Sequence, residues 1–427
     1  MYGPISSILP TIYAKYYGLD LAFIGMVLLV SRVFDAVTDP VIGYLSDKTT
    51  SPIGQRKPWM IVGFTLVLFA IYRLYVPPVD VQPMHFMVWF ILLYLFLTIA
   101  EIPYAAWQAE ITRDYRVRSK VVAYRAVFAG AGGLLFAVSP MLPMFSTHEM
   151  TPEVLKVLAI VIVVLLPIAV LIAVFYAPVG KPVATKASGT FISLLRGLAK
   201  NRPFLIFIVS YMFTGLAAGM QQIMGFLYFD TYLGIGDRFP VILLSMSIAQ
   251  LAAVPVWLWL ANKIGKHRAF AVGNVLSVIF SIGIIFLKPG PDVFPAFMAI
   301  WICMMFCFSA VQVIPAAIMG DIVDYDTLKS GSNRAGQYFA VFTMAVKFNL
   351  GVGGGLAFFL VDGFGYDVAA TLHDRTSIIG IWIAISFLPS LFYLISSVIM
   401  WQFPIDERRH GIIRRRIESL KERIHAG

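Results

Sequence analysis

The chain has 427 residues, of which 59% are hydrophobic and only 13% charged, about half the roughly 25% of a soluble globular protein. With a mean hydropathy of +0.82 it cannot cover a water-facing surface, and recurring apolar runs exclude disordered, collagenous and disulfide-rich classes. The formal net charge of +10 is no nucleic-acid signal, because most Lys and Arg residues sit in short loops between apolar runs, where they report topology. A hydrocarbon core about 30 Å thick needs about twenty apolar residues per helix. Cutting the sequence where polar, Pro or Gly clusters interrupt such runs predicts twelve spans: 3–18, 20–46, 57–77, 84–111, 118–144, 152–177, 203–232, 238–262, 268–288, 291–326, 335–362 and 375–403. Loops after even-numbered spans, with the tail, hold 24 of the 33 Lys and Arg residues, loops on the other side six, and span interiors three. That bias makes the even-to-odd loops and the C-terminus cytoplasmic. Span one offers barely sixteen residues from Met1, short for a crossing. The expectation is a truncated or misassigned start, because an eleven-helix chain would leave the positive loops on inconsistent sides.

Span two carries Arg32, Asp35 and Asp39 at spacings of three and four, which share one helical face. An ionisable side chain at the centre of a span costs about 2.5 to 3.5 kcal/mol. Carboxylates four residues apart lie about 6 Å apart along the axis, and at an effective dielectric near 20 they repel by roughly 3 kcal/mol. A positive partner belongs between them. Arg32 supplies one in a structural pair; Asp35, Asp39 and Thr38 together offer hard oxygens to a small monovalent cation, and protonation of one carboxyl serves as well.

Beyond span two, Asp47, Lys48, Arg56 and Lys57 form a charged loop, either a gate that locks the ends of the bundle by ion pairs or a topology signal alone. Span four brings Thr98, Glu101, Ile102-Pro103-Tyr104 and Trp107, with a proline that frees a carbonyl at membrane depth. Arg125 in span five and Lys347 in span eleven complete the set, and three positive charges balance Asp35, Asp39 and Glu101. Residues 178–202 form the longest connection, whose stretch Thr190 to Lys200 has Phe191, Leu194, Leu195 and Leu198 on one face, as an interfacial helix would. Cys303 and Cys307 read as small core residues. Asp321, Asp324 and Asp326 end span ten with Lys329 and Arg334 nearby, as gating pairs or as a solvated helix end. Gly351, Gly353, Gly354 and Gly355 thin span eleven for close packing. The basic tail from Pro404 places Ile413, Ile417, Leu420 and Ile424 on one stripe, which suits an anionic leaflet. His267 and His410 fall in loops, and no metal-ligand spacing appears.

The halves echo each other. Ile102-Pro103 recurs as Ile314-Pro315 and Asp114-Tyr115 as Asp324-Tyr325, each near an offset of 211, which indicates a parallel repeat. The expected organisation is an all-α membrane protein of twelve helices in two six-helix bundles: 1–177, a central loop 178–202, 203–403 and a tail 404–427. That is the major facilitator architecture, with solute bound near the midplane. The run Ser31-Arg32-Val33-Phe34-Asp35-Ala36-Val37-Thr38-Asp39-Pro40-Val41-Ile42-Gly43 resembles the helix-two signature of the glycoside, pentoside and hexuronide cation symporters, the melibiose permease family. Gln55-Arg56-Lys57-Pro58-Trp59, Glu101-Ile102-Pro103-Tyr104, Arg118 to Arg125, Asp321-Ile322-Val323-Asp324-Tyr325 and Thr343-Met344-Ala345-Val346-Lys347 extend the resemblance in order from about residue 20 to 400.

The resemblance implies that Asp35 and Asp39, with Thr38 and Thr98, hold the coupling sodium ion or proton. Glu101 and Arg125, with Tyr104, Trp107 and Lys347, would meet the solute, and Asp47, Lys48, Arg56, Asp321, Asp324 and Arg334 would gate. Position 101 is glutamate where sugar-transporting members have aspartate, a tryptophan that follows is displaced to Trp107, and the start of helix one is missing. Lysolipid carriers resemble this family too. The expectation is a monomeric multi-pass protein of a bacterial inner membrane, without cofactor, enzymatic activity or nucleic-acid partner, which carries a small solute, a sugar or glycoside, with sodium or protons by alternating access. A lysolipid or other amphiphile carrier and an uncoupled uniporter are the alternatives.

Overall fold

A computed structural model describes residues 2–111, 115–179, 198, 200–290, 292–331, 334–368, 370 and 373–426. The described residues form helices joined by short turns: α1 (Tyr2–Tyr17), α2 (Leu21–Lys48), α3 (Lys57–Tyr75), α4 (Pro83–Glu110), α5 (Tyr115–Val138) and α6 (Pro152–Tyr176), then α7 (Arg202–Leu227), α8 (Phe239–Ile264), α9 (Lys266–Gly283), α10 (Val293–Ser330), α11 (Ala335–Gly363), α12 (Arg375–Trp401) and α13 (Glu407–Ala426). Among the described residues ten helices are long and apolar enough to cross a membrane. The exceptions among α1 to α12 are α1, at 16 residues, and α5, whose apolar stretch is Val127–Met141.

Helix starts follow local chemistry. Asp20 accepts from the Phe23 amide at 2.9 Å to open α2, and Asn201 accepts from Phe204 at 3.2 Å to open α7, each satisfying a donor that a helix start leaves orphaned. Two π turns depart from the predicted regularity: Tyr228–Tyr232 prolongs α7, and Ile383–Phe387 interrupts α12. Helix α10 also runs on to Ser330, past the predicted limit, and stops at Gly331 with φ of 68°.

The chain divides into two compact units, residues 1–186 with 235–241 and residues 187–234 with 242–427. In the first, α4 carries a stripe of residues four apart, Phe86, Phe90 and Tyr94, with ring centroids 5.1 Å apart at each step; Tyr13 of α1 joins it at 4.6 Å from Phe86. A Cβ on Gly63 would lie 2.6 Å from the Ala100 amide nitrogen, so glycine is what lets α3 and α4 touch. The core of the second unit gathers Phe207, Trp257, Phe270, Ile318 and Tyr338. There a Cβ on Gly353 would lie 2.7 Å from the Leu216 carbonyl oxygen, so the glycines of α11 serve close packing against α7. Cys303 and Cys307 are free thiols in α10, the second fully buried. The stretch Thr190 to Lys200, Leu198 and Lys200 apart, lies outside the described residues. So do the side chains of Ile417, Leu420 and Ile424, whereas Ile413 is buried in the core of the second unit.

Candidate functional site

In the first unit α2 packs along α4, and Arg32 and Asp39 of α2 meet Tyr94 and Thr98 of α4. Arg32 and Asp35 are 3% and 4% exposed, and Arg32 Nη1 donates to Asp35 Oδ2 at 2.9 Å. The Arg32 guanidinium carbon also lies over the Tyr94 ring, 3.8 Å from its centroid, a desolvated cation–π contact. Asp39, half-buried, accepts from the Thr98 hydroxyl at 2.9 Å, and Thr98 is 1% exposed. The Thr38 hydroxyl donates back to the Phe34 carbonyl of its own helix at 3.0 Å. Asp35 is therefore matched to a fixed cation, while the Asp39 carboxylate one turn on takes the Thr98 hydroxyl. Two acids one turn apart in unlike surroundings hold a cation or a proton unequally.

The other expected solute contacts lie on α4, α5 and α11. Glu101 and Tyr104 are half-buried on α4, and Arg125 of α5 is exposed, donating to Gln108 Oε1 at 2.9 Å with its guanidinium 5.3 Å from the Tyr104 ring centroid. Trp107 departs from its expected role. It is buried, and its indole nitrogen donates to the Pro178 carbonyl at 3.2 Å, because α4 continues to Glu110 and carries this residue under the end of α6. Lys347 is half-buried on α11 in the second unit.

The expected gates are partly rebuilt. Arg56 is 8% exposed and bridges Asp47 at 2.5 Å and Glu110 at 2.9 Å, with Ser46 accepting from Nη1 at 2.9 Å. Burial alone would lower the Arg56 pKa, but the hydrogen bonds to Glu110 and Asp47 outweigh it and the pKa is raised. Lys57 caps the end of α6, donating to the Val174 and Ala177 carbonyls at 2.7 Å each, and Lys48 lies 4.4 Å over the Tyr44 ring. In the second unit Asp321 takes Lys266 at 2.6 Å and His410 at 3.3 Å, and Asp324 takes His410 at 3.0 Å. Arg334 instead pairs with Asp326 at 2.5 Å, and Tyr338 donates to the same carboxylate at 2.9 Å. The continued helix explains this choice, since two residues turn the chain by about 200° and set Asp326 opposite Asp324. His410 thus sits in helix α13, and His267 is buried at the start of α9, rather than in loops.

Sequence reasoning missed Tyr94, Glu110, Lys266 and His410. Only Tyr94 had a local signal, standing one turn before Thr98 on the face that meets α2. Among the described residues no group of three or more acids, histidines or cysteines is arranged to hold a metal.

The MFS/sugar transport protein family matches residues 1–407. The inner membrane symporter YicJ of Escherichia coli is 25% identical over 97% of this chain and 89% of its own. The sodium-dependent lysophosphatidylcholine symporter 1 of Gallus gallus is 24% identical over 96% of this chain and 85% of its own. Among solved structures, the nucleoside transporter NupG has the same fold, with a TM-score of 0.66 and 15% identity over 94% of this chain and 95% of that one. The matched stretch runs through both units, and the chain belongs to the MFS/sugar transport protein family of membrane transporters, that of the glycoside and cation symporters.

Proposed function

We propose that this chain is a secondary active transporter that crosses a bacterial inner membrane twelve times, C-terminus in the cytoplasm. It couples entry of sodium ions or protons to uptake of a sugar or glycoside by alternating access. The observation that carries the reading is the inequality of the two acids: Asp35 is buried against Arg32, while Asp39 is half-buried on the Thr98 hydroxyl. One basic and two acidic side chains on one membrane helix are expensive. A cation or proton arriving at the two acids offsets their mutual repulsion. Glu101, Tyr104 and Arg125 lie within the next two turns and on the adjacent helix, where a polar solute meets acceptor, ring and donor together. Linkage then requires that cation raise solute affinity by the factor with which solute raises cation affinity.

Counterflow and gradient-driven uptake in proteoliposomes test this. The parent should accumulate solute under an inward sodium or proton gradient, and Asp39→Asn should lose accumulation while remaining folded. Uptake that ignores both gradients selects an uncoupled uniporter and overturns the reading. The similarity to a lysophosphatidylcholine symporter favours a second reading for the solute alone, an amphiphile with a charged head. A panel of sugars, glycosides and lysolipids offered in the same vesicles separates the two.

A further inference from the structure

The Arg32 guanidinium has a peculiar set of restraints. One nitrogen donates to Asp35 Oδ2 at 2.9 Å, its Nε is buried with no hydrogen-bond partner among the described residues, and its central carbon lies 3.8 Å from the centroid of the Tyr94 ring. A single hydrogen bond does not fix the direction of a long side chain. The ring does, because it holds the cation over its centre. Tyr94 is itself 1% exposed, anchored in the aromatic stripe by Phe90 at 5.1 Å. Asp39 lies one turn beyond Asp35 on the same face of α2, about 6 Å further along the axis, within the sweep of a released arginine. Thr98, one turn after Tyr94, holds Asp39. Helix α4 therefore presents two holders at a four-residue spacing, a ring for Arg32 and a hydroxyl for Asp39.

We infer that Tyr94 is a positioning residue for cation coupling: its ring pins Arg32 on Asp35 and keeps this built-in cation from occupying Asp39. The inference rests on the coupling reading above. With the ring gone, Arg32 acts as a tethered competitor, permanently charged, that reaches along α2 and masks the acid which the travelling cation needs. A ring serving only as packing would instead alter stability and leave ion affinity alone.

The test uses the purified full chain, titrated with sodium chloride at fixed pH and, separately, with protons in sodium-free buffer, with binding followed by calorimetry. In the ion to which the parent responds, Tyr94→Leu should weaken binding at least tenfold, and Tyr94→Met, a second apolar replacement for use if the first is not folded, should do the same. Tyr94→Phe, which keeps the ring, should stay within about twofold of the parent. Once Arg32→Met has removed the competitor, adding Tyr94→Leu should move the midpoint less than twofold, since a double-mutant cycle isolates the pair. A parent-like midpoint in folded Tyr94→Leu or Tyr94→Met overturns the inference while leaving coupling intact. So does an undiminished Tyr94→Leu effect without Arg32. A parent that binds neither ion defeats the coupling reading and this inference with it.

Discussion

At Gly63 and Ala100 in the first unit, and at Gly273 and Ala310 in the second, two helices meet with no room for a side chain, and each residue of the second pair lies 210 positions beyond its counterpart. The ends of the same helices are tied alike. Arg56 bridges to Glu110, and Lys266, 210 positions on, bridges to Asp321, 211 positions on. The interiors then diverge. At an offset of 210, Arg32, Asp35 and Asp39 correspond to Ile242, Ser245 and Ala249. Where α2 of the first unit buries Arg32 and Asp35, the second gathers neutral groups around Ser396 and Ser281: Asn274 donates to Thr214 at 2.8 Å and Ser396 at 3.1 Å, Ser210 lies 2.7 Å from Ser396, and Gln221 donates to Ser281 at 2.9 Å. Neutral donors and acceptors can satisfy one another permanently, whereas membrane charges stay expensive unless something passes through them. One scaffold thus serves twice, once as a frame and once as a frame around chemistry.

The largest effect that would break this contrast is functional. Asp39→Asn should abolish gradient-driven accumulation, while Thr214→Val in the second unit should leave its dependence on sodium and pH unchanged; loss of coupling in both would erase the division of labour. Next come the ties at the helix ends. Arg56→Ala leaves Glu110, with a side chain only 7% exposed, without its cation, and should cost about 3 to 5 kcal/mol. Lys266→Ala, at a side chain 35% exposed, should cost about 0.2 to 1 kcal/mol. Thermal unfolding of the two variants in one detergent measures the ratio. Gly63→Ala should lose about 1 to 3 kcal/mol by overpacking, more than Gly273→Ala, because the first Cβ meets a backbone nitrogen at 2.6 Å and the second only the Ala310 methyl at 2.8 Å. Thr214→Val should cost about 0.6 to 1.7 kcal/mol, the scale of a side-chain hydrogen bond within a membrane bundle.

Much of this was legible in the sequence because membrane helices are written as run length. All of α2 to α12 fall on predicted apolar segments, and the acidic face of α2 follows from a spacing of three and four. The repeat was visible at Ile102-Pro103 and Ile314-Pro315, and the structure extends it to Gly63 with Ala100 and Gly273 with Ala310. What escaped were partners distant in the chain. Arg56 and Glu110 are 54 positions apart, and Asp324 and His410 are 86, so no local pattern joins them. The resemblance implies a solute contact for Trp107, whose indole nitrogen donates to the Pro178 carbonyl. An aromatic residue in an apolar run, such as Tyr94, looks like its neighbours until a cation is found against it.

The π turn at Ile383–Phe387 holds one residue more than ordinary helical pitch needs, and everything C-terminal to it is rotated accordingly. Ser396 and Ser397, lying past that turn, point inward, where Ser396 meets Ser210 and Thr214, and Ser397 meets the Ala271 carbonyl at 3.2 Å. Deleting a single residue from the turn would swing them by about 100° toward the lipid chains and leave Asn274 facing an oily surface. A surplus of one amino acid thus acts as the rudder for the last third of a helix, and relatives that lack the surplus must find another way to steer.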